Sequence, residues 1–201
     1  MPEIQASYAL LAFWGIVGYL LGSIPFGMIV ARTLGLGNLR EIGSGNIGAT
    51  NVLRTGNKLA AAVTLLLDGA KGAVAVLLAR AAIGEDAAQL AGLMAFIGHC
   101  FPIWLSFRGG KGVATFLGVL LGLAWPVGLA CCLTWVLSAA ATRISSMAAI
   151  YAAALSTIWI VFLGYSEMFV LGVVLTMLVF FRHAANIRRL RSGTEPRIGQ
   201  S

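Results

Sequence analysis

Residues 6 to 31, ASYALLAFWGIVGYLLGSIPFGMIVA, run for 26 residues without one charged side chain. At about 1.5 Å of rise per residue, a helix of that length outruns the ~30 Å hydrocarbon core of a bilayer. Further apolar runs follow at 59–82, 87–107, 113–142, 144–164 and 168–181. Of the 201 residues, 59% are hydrophobic and 10% charged, against roughly 25% charged in soluble domains. A core of this size cannot bury that much apolar surface, so lipid must be the solvent for most of it. The chain reads as an all-α integral membrane protein, a polytopic bundle forming a single membrane-embedded domain over 1–201.

Charge placement sets the expected topology. Only Glu3 precedes the first run, where a cleaved signal peptide would carry a basic stretch, so the run reads as a retained helix. Arg32 and Arg40 follow it, which places the N-terminus outside and the C-terminus in the cytoplasm. Ser23, Pro25 and Gly27 mark a kink or a close packing point. The run 113–142 is too long for one crossing without strong tilt, and Trp125-Pro126 sits near its centre. A hairpin there keeps Arg143 on the same side as Arg108 and Lys111, and the total becomes about seven crossings. Arg80 is the one misfit, near the outer end of its helix, where it can snorkel or pair with Glu85 or Asp86.

The net charge of +7 does not point to nucleic acid, because most basic residues flank apolar runs. Cys100, Cys131 and Cys132 lie inside apolar runs without metal-ligand spacing and read as small buried hydrophobes. Neither metal nor cofactor is expected.

Three polar segments then fall on one membrane face. The first, Arg40 to Lys58, carries Gly43, Gly45, Gly48 and Gly56, with Asn46, Asn51, Asn57, Ser44, Thr50, Thr55, Arg54 and Lys58. Glycine lets backbone N–H groups approach a ligand closely, and amides, hydroxyls and an arginine suit a phosphate-sized oxyanion. A solvated interhelical loop is the bland alternative. The second segment, RGGKG at Arg108 to Gly112, lacks both the earlier glycine and the Ser/Thr of a Walker A loop, so a plain phosphate contact fits better than a nucleotide. The third, RHAANIRRLRSGTEPR, puts His183 and Asn186 on one helical face, while Arg188, Arg189 and Arg191 read as membrane anchoring. Lone His99 reads as a packed histidine. Asp68 and Lys71, three apart inside a span, can pair, and both a structural ion pair and a substrate contact stay open.

Together SGNIGATNVLR (44–54), GHCFPIWLSFRGGKGVAT (98–115) and RHAANIRRLRSGTE (182–195), with GSIPFG and LDGAKG, resemble the bacterial acyl-phosphate:glycerol-3-phosphate acyltransferase family, known as PlsY. The resemblance covers nearly the whole chain in order. It implies seven transmembrane helices in the bacterial inner membrane and an active site at the cytoplasmic face. It also implies transfer of a fatty acyl group from acyl phosphate to sn-glycerol 3-phosphate, giving lysophosphatidic acid and inorganic phosphate. Carried over by position, Ser44, Arg54, Lys111, His183 and Asn186 are the expected catalytic group. Gly45, Asn46, Gly48, Thr50, Asn51, Gly109, Gly110, Gly112, Thr115 and Glu195 are expected to bind substrate phosphate. A transient contact with the soluble enzyme that makes acyl phosphate stays open.

The base is the weak point of that picture. Thioester-dependent acyltransferases commonly pair His with Asp five residues later. Here Trp104 and Arg188 occupy the places five beyond His99 and His183. The expected acceptor of the hydroxyl proton is therefore a substrate phosphate oxygen, with Ser44 and His183 orienting; His183 as a true base is the rival. Of other classes, a small transporter of an anionic solute also suits broken helices and intramembrane charges. It fits less well with polar motifs gathered on one face and no internal repeat. A non-catalytic lipid-binding protein is weaker still.

Overall fold

The computed structural model describes residues 2–199, and among them all regular structure is helical. The first apolar run becomes α1 (Tyr8–Gly22) and α2 (Phe26–Thr33), interrupted at Ser23-Ile24-Pro25. A five-residue α3 (Ala49–Leu53) lies in the first polar segment. The spans α4 (Lys58–Ala82) and α5 (Glu85–Cys100) follow, and Pro102 ends α5 ahead of a single 3-10 turn at Ile103–Leu105. Then come α6 (Val113–Leu123), α7 (Trp125–Thr142), α8 (Ser145–Phe162), α9 (Phe169–Arg182) and α10 (Ala184–Arg191).

Side-chain size is distributed for a lipid solvent. Ala75, Ala79, Ala88, Ala91, Ala95, Ala149 and Ala152 fill the interior, while Leu66, Leu137, Ile158 and Met177 point outward and exposed. Small residues let helix backbones approach, and large apolar ones meet the acyl chains. Between α1 and α5 a Cβ at Gly22 would fall 2.0 Å from the Ala95 carbonyl oxygen, and between α4 and α6 one at Gly118 would fall 1.9 Å from that of Gly69.

The expected hairpin is present: α6 and α7 are separate helices that meet at Ala124. The count of full crossings is less simple than seven. Among the described residues, five helical stretches are long and apolar enough to cross, or six if α9 and α10, bent by 63°, count as one. The remaining α6 has 11 residues, a rise of about 16 Å and roughly half of a hydrocarbon core. Its depth follows from its neighbour α4. Thr115 bonds to the Asp68 carbonyl oxygen, and a Cβ on Gly122 would sit against Ala73 and Val76. At the far end Arg80 donates to the carbonyl oxygens of Gly122 and Leu123 at 2.7 and 2.9 Å. Thus α6 runs parallel to α4 and covers only its half from Asp68 to Arg80. The half of α4 nearer Lys58 is covered instead by α2 and the first polar segment, through Val30, Ala31, Leu39, Val52, Ala60 and Ala61.

Arg80 is the predicted misfit, and it pairs with Glu85 at 2.9 Å as one of its two expected partners. At that end of the bundle, the amides of Gln5 and Ala6 bind the Asp86 carboxylate, and Gln89 reaches the Glu167 carbonyl oxygen. The three polar motifs lie at the other end.

Candidate functional site

Asn51 organises the first motif. Its amide nitrogen donates to the carbonyl oxygens of Leu39 (2.9 Å) and Asn46 (2.7 Å). Its Oδ1 accepts from the Ser44 amide (3.2 Å), the Ser44 hydroxyl (3.4 Å) and Arg54 Nη1 (3.3 Å). Every polar atom of this buried side chain is thereby used within the protein, so Asn51, expected to cradle a phosphate, is seen tying the loop together. Asn46 likewise turns inward, its Oδ1 accepting from the Gly48 amide at 3.2 Å. Gly43 and Gly45 take positive φ, at 50° and 65°, which opens the turn that leaves Ser44 exposed at its rim.

Arg40 ties this loop to the second motif. Its guanidinium donates to the Gly45 carbonyl oxygen at 3.1 Å and to the Arg108 carbonyl oxygen. Thr50 extends the same loop sideways, its hydroxyl 3.1 Å from that of Ser145 at the start of α8.

The second motif is packed from below and latched from above. Gly109 and Gly110 donate their amides to the Cys100 and His99 carbonyl oxygens, both at 3.0 Å. Those two amides therefore face the protein, which corrects the expectation that they face a phosphate. Gly112 is needed for fit, since a Cβ there would lie 2.3 Å from the Phe96 ring. Thr115, also expected to bind substrate, is wholly buried in the α4–α6 contact, its hydroxyl donating to the Asp68 carbonyl oxygen at 2.8 Å. From above, Arg182 grips the Gly110 carbonyl oxygen at 2.9 and 3.1 Å and that of Gly109 at 3.3 Å, with its guanidinium 5.0 Å from the Phe101 ring centre.

Lys111, half-buried in this loop, meets the third motif. Its Nζ donates to Asn186 Oδ1 at 2.6 Å. The Asn186 amide nitrogen donates to Glu195 at 2.5 Å, and Glu195 also accepts from Ser146 (2.6 Å) and Arg189 (2.7 Å). Burial pushes the Lys111 ammonium down to about 8; Glu195 opposes that shift, and Arg189, Arg54 and Arg182 add to it. Burial works to raise the Glu195 carboxyl, yet the donors Ser146, Asn186 and Arg189 hold it below its ordinary range. Glu195 is thus an ionised anchor that orients Asn186. His183 sits in the bend between α9 and α10, 2% exposed, with Nδ1 2.8 Å from the Val179 carbonyl oxygen. A carbonyl only accepts, so the proton resides on Nδ1 and the lone pair on Nε2.

Ser44, Arg54, Lys111, His183, Asn186 and Glu195 therefore share one end of the bundle, with Arg cations outnumbering Glu195. Sequence reasoning missed Arg182 as a latch and Ser146 as a support for Glu195, because neither stands out from anchoring arginines and helix-start serines. It also left His99 as plain packing, although its ring lies directly beneath Gly110.

Fold and site together define a helical integral membrane protein whose polar end gathers Lys111, Arg54, Arg182 and Arg189. The sequence model described as glycerol-3-phosphate acyltransferase matches residues 12–193. Glycerol-3-phosphate acyltransferases of Ruegeria pomeroyi and Cereibacter sphaeroides (strain ATCC 17025) are 67% and 64% identical over 200 residues, covering 100% of this chain and 98% and 95% of theirs. The crystal structure of PlsY (YgiH), an integral membrane glycerol 3-phosphate acyltransferase, in its glycerol 3-phosphate form superposes with a TM-score of 0.89 at 38% identity, covering 94% of this chain and 96% of that one. Its lysophosphatidic acid form gives 0.86 at 35% identity, covering 94% and 95%. The chain belongs to the glycerol-3-phosphate acyltransferase family. Its class is acyltransferase, and the anion-transporter alternative is set aside.

Proposed function

We propose that the chain transfers a fatty acyl group from acyl phosphate to the primary hydroxyl of sn-glycerol 3-phosphate at the cytoplasmic face of a bacterial inner membrane. In this reading the N-terminus is outside, the C-terminus inside, and α6 with α7 completes seven membrane passages within one catalytic unit. Basic residues concentrated at the motif end support that orientation.

The observation that carries the reading is the Lys111–Asn186 contact among Arg54, Arg182 and Arg189. It concentrates donors and cations where two phosphorylated substrates must meet. Arg54 and Lys111 hold the phosphates; Ser44, Gly45, Asn46, Gly48 and Thr50 form the rim that orients them. The glycerol hydroxyl oxygen attacks the acyl carbonyl carbon, the bond from that carbon to the phosphate oxygen breaks, and phosphate leaves with the electron pair. The hydroxyl proton passes to a phosphate oxygen, so atoms and charge balance without a covalent enzyme intermediate. Negative charge grows on the carbonyl oxygen and departing phosphate, and fixed cations in a half-buried site stabilise it better than water does. His183 and Asn186 orient these groups.

The test offers purified protein glycerol 3-phosphate with acyl phosphate, acyl-CoA or acyl carrier protein, without added metal. Lysophosphatidic acid and phosphate formed from acyl phosphate alone are expected. Product from a thioester would overturn the donor assignment while leaving the acyltransferase in place.

A further inference from the structure

Deep in the bundle, at the level where α6 begins, a charged cluster lies beneath the Lys111 loop. Asp68 and Lys71 on α4 pair at 2.8 Å, with side chains 3% exposed. Lys71 also donates to the Ile24 carbonyl oxygen at 2.7 Å, in the break between α1 and α2, where the interrupted helix leaves that carbonyl available. The His99 ring, 4% exposed, places Nδ1 3.6 Å from the same Asp68 oxygen, an electrostatic contact longer than a hydrogen bond. Charges this deep cost roughly 2.5–3.5 kcal/mol each on insertion scales. A plain helix–helix contact at this place would need none of them.

What the cluster touches at its edge is the Lys111 loop. A Cβ at Gly110 would fall 2.1 Å from His99 Nε2, so the imidazole is the floor on which that residue rests. The Gly110 amide is bound to the His99 carbonyl oxygen as well. On the other side of Lys111, Thr115 bonds to the carbonyl oxygen of Asp68 at 2.8 Å. One residue of α4 therefore indexes both flanks of Lys111: its carboxylate through His99 to Gly110, and its carbonyl to Thr115. Arg182 closes the loop from the opposite side.

We propose that Asp68, Lys71 and His99 form a positioning centre that sets the height and direction of Lys111 without touching substrate. The role rests on Lys111 holding a substrate phosphate, as proposed above. An ammonium on a flexible stem has no direction of its own, so the fixed backbone beneath it must supply one. Misplacement by about 1 Å can cost up to roughly 100-fold. The effect belongs to glycerol 3-phosphate or donor binding and catalysis, not to the fold as a whole.

The test is a set of variants followed by KM, kcat and thermal midpoint in detergent. His99→Ala is expected to raise the KM of at least one substrate about tenfold or more with little change in midpoint. Gly110→Ala is expected to be more damaging alone than in the Gly110→Ala/His99→Ala pair, because removing the ring makes room for the methyl. Thr115→Val, which keeps shape and loses only the bond to Asp68, decides the matter if His99→Ala fails to fold. Lys111→Ala runs alongside. Altered KM in Lys111→Ala with unchanged constants in His99→Ala, or in Thr115→Val where that variant decides, would overturn the positioning role. Unchanged KM in Lys111→Ala itself would instead overturn the phosphate reading on which it stands. A fall in midpoint with KM and kcat intact would reduce the cluster to a structural ion pair and likewise refute it.

Discussion

Lys111 and Asn186 stand 75 residues apart in sequence and 2.6 Å apart in the fold. That contact joins the glycine loop before α6 to the helix after α9, and it needs the bend at His183 to happen. Without the 63° turn between α9 and α10, Asn186 would continue along the α9 axis away from the loop. The charge on Lys111 is then the adjustable quantity of the site.

Its pH dependence follows. Burial brings the Lys111 ammonium down to about 8 in the free protein. Below that pH the group is cationic, as the proposed phosphate contact requires; as pH rises through 8 it loses its proton and its charge. The kcat/KM for glycerol 3-phosphate should therefore fall above about pH 8, since that ratio reports the free enzyme. The second ionisation of a phosphate ester, near 6, is complete by then and cannot produce this limb. Lys111→Arg, which stays charged, should lower the plateau but remove the alkaline fall. A profile in Lys111→Arg that still breaks near 8 would assign the limb to another group.

Glu195 should act only through Asn186. It accepts from Ser146, Asn186 and Arg189, which leaves it ionised and occupied. Asn186→Ala and Glu195→Gln are each expected to lower kcat about tenfold or more, and the double variant is expected to be little worse than Asn186→Ala alone. Multiplicative losses in steady-state kinetics would show that Glu195 has a separate task.

His183 separates two routes for the proton. If a phosphate oxygen accepts it, His183→Gln, which retains an amide donor in place of the ring, should lose about tenfold and keep the shape of the acid limb. A general base is worth roughly 100- to 10,000-fold, and its removal would abolish an acid limb as well. The pH profile of kcat for the glutamine variant decides between them.

Much of this was readable in the residues because membrane chemistry restricts the choices. The apolar runs gave the spans, and Trp125-Pro126 the α6–α7 turn. The polar motifs were equally legible as a group. Individual roles were not, because the same residue type serves a loop and its ligand alike. Asn51 and Asn46 look like phosphate ligands in sequence, yet their bonds turn inward. Gly109 and Gly110 suggested free amides, yet their partners, the carbonyls of Cys100 and His99, are set by where α5 stops. The half-length of α6 was hidden for a related reason. Its depth depends on which part of α4 it meets, and a hydropathy run carries no such register.

Arg80 gives a prediction about stability alone. It lies at the end of the bundle opposite the polar motifs, pairs with Glu85 at 2.9 Å and donates to the last carbonyl oxygens of α6 at Gly122 and Leu123. A cation at a helix C-terminus meets both the unsatisfied carbonyls and the negative end of the helix dipole. Because α6 is short and apolar, it has few other polar contacts to fix its far end. Arg80→Ala should cost about 1–3 kcal/mol, counting charged hydrogen bonds at their usual worth, and lower the thermal midpoint by roughly 3–10 °C. The KM values should stay unchanged, since the loop before α6 is held independently by Arg182 and Gly109–Gly110. A rise in KM without loss of midpoint would mean that α6 slides as a rigid rod, carrying Lys111 with it, and that its far end also tunes the site.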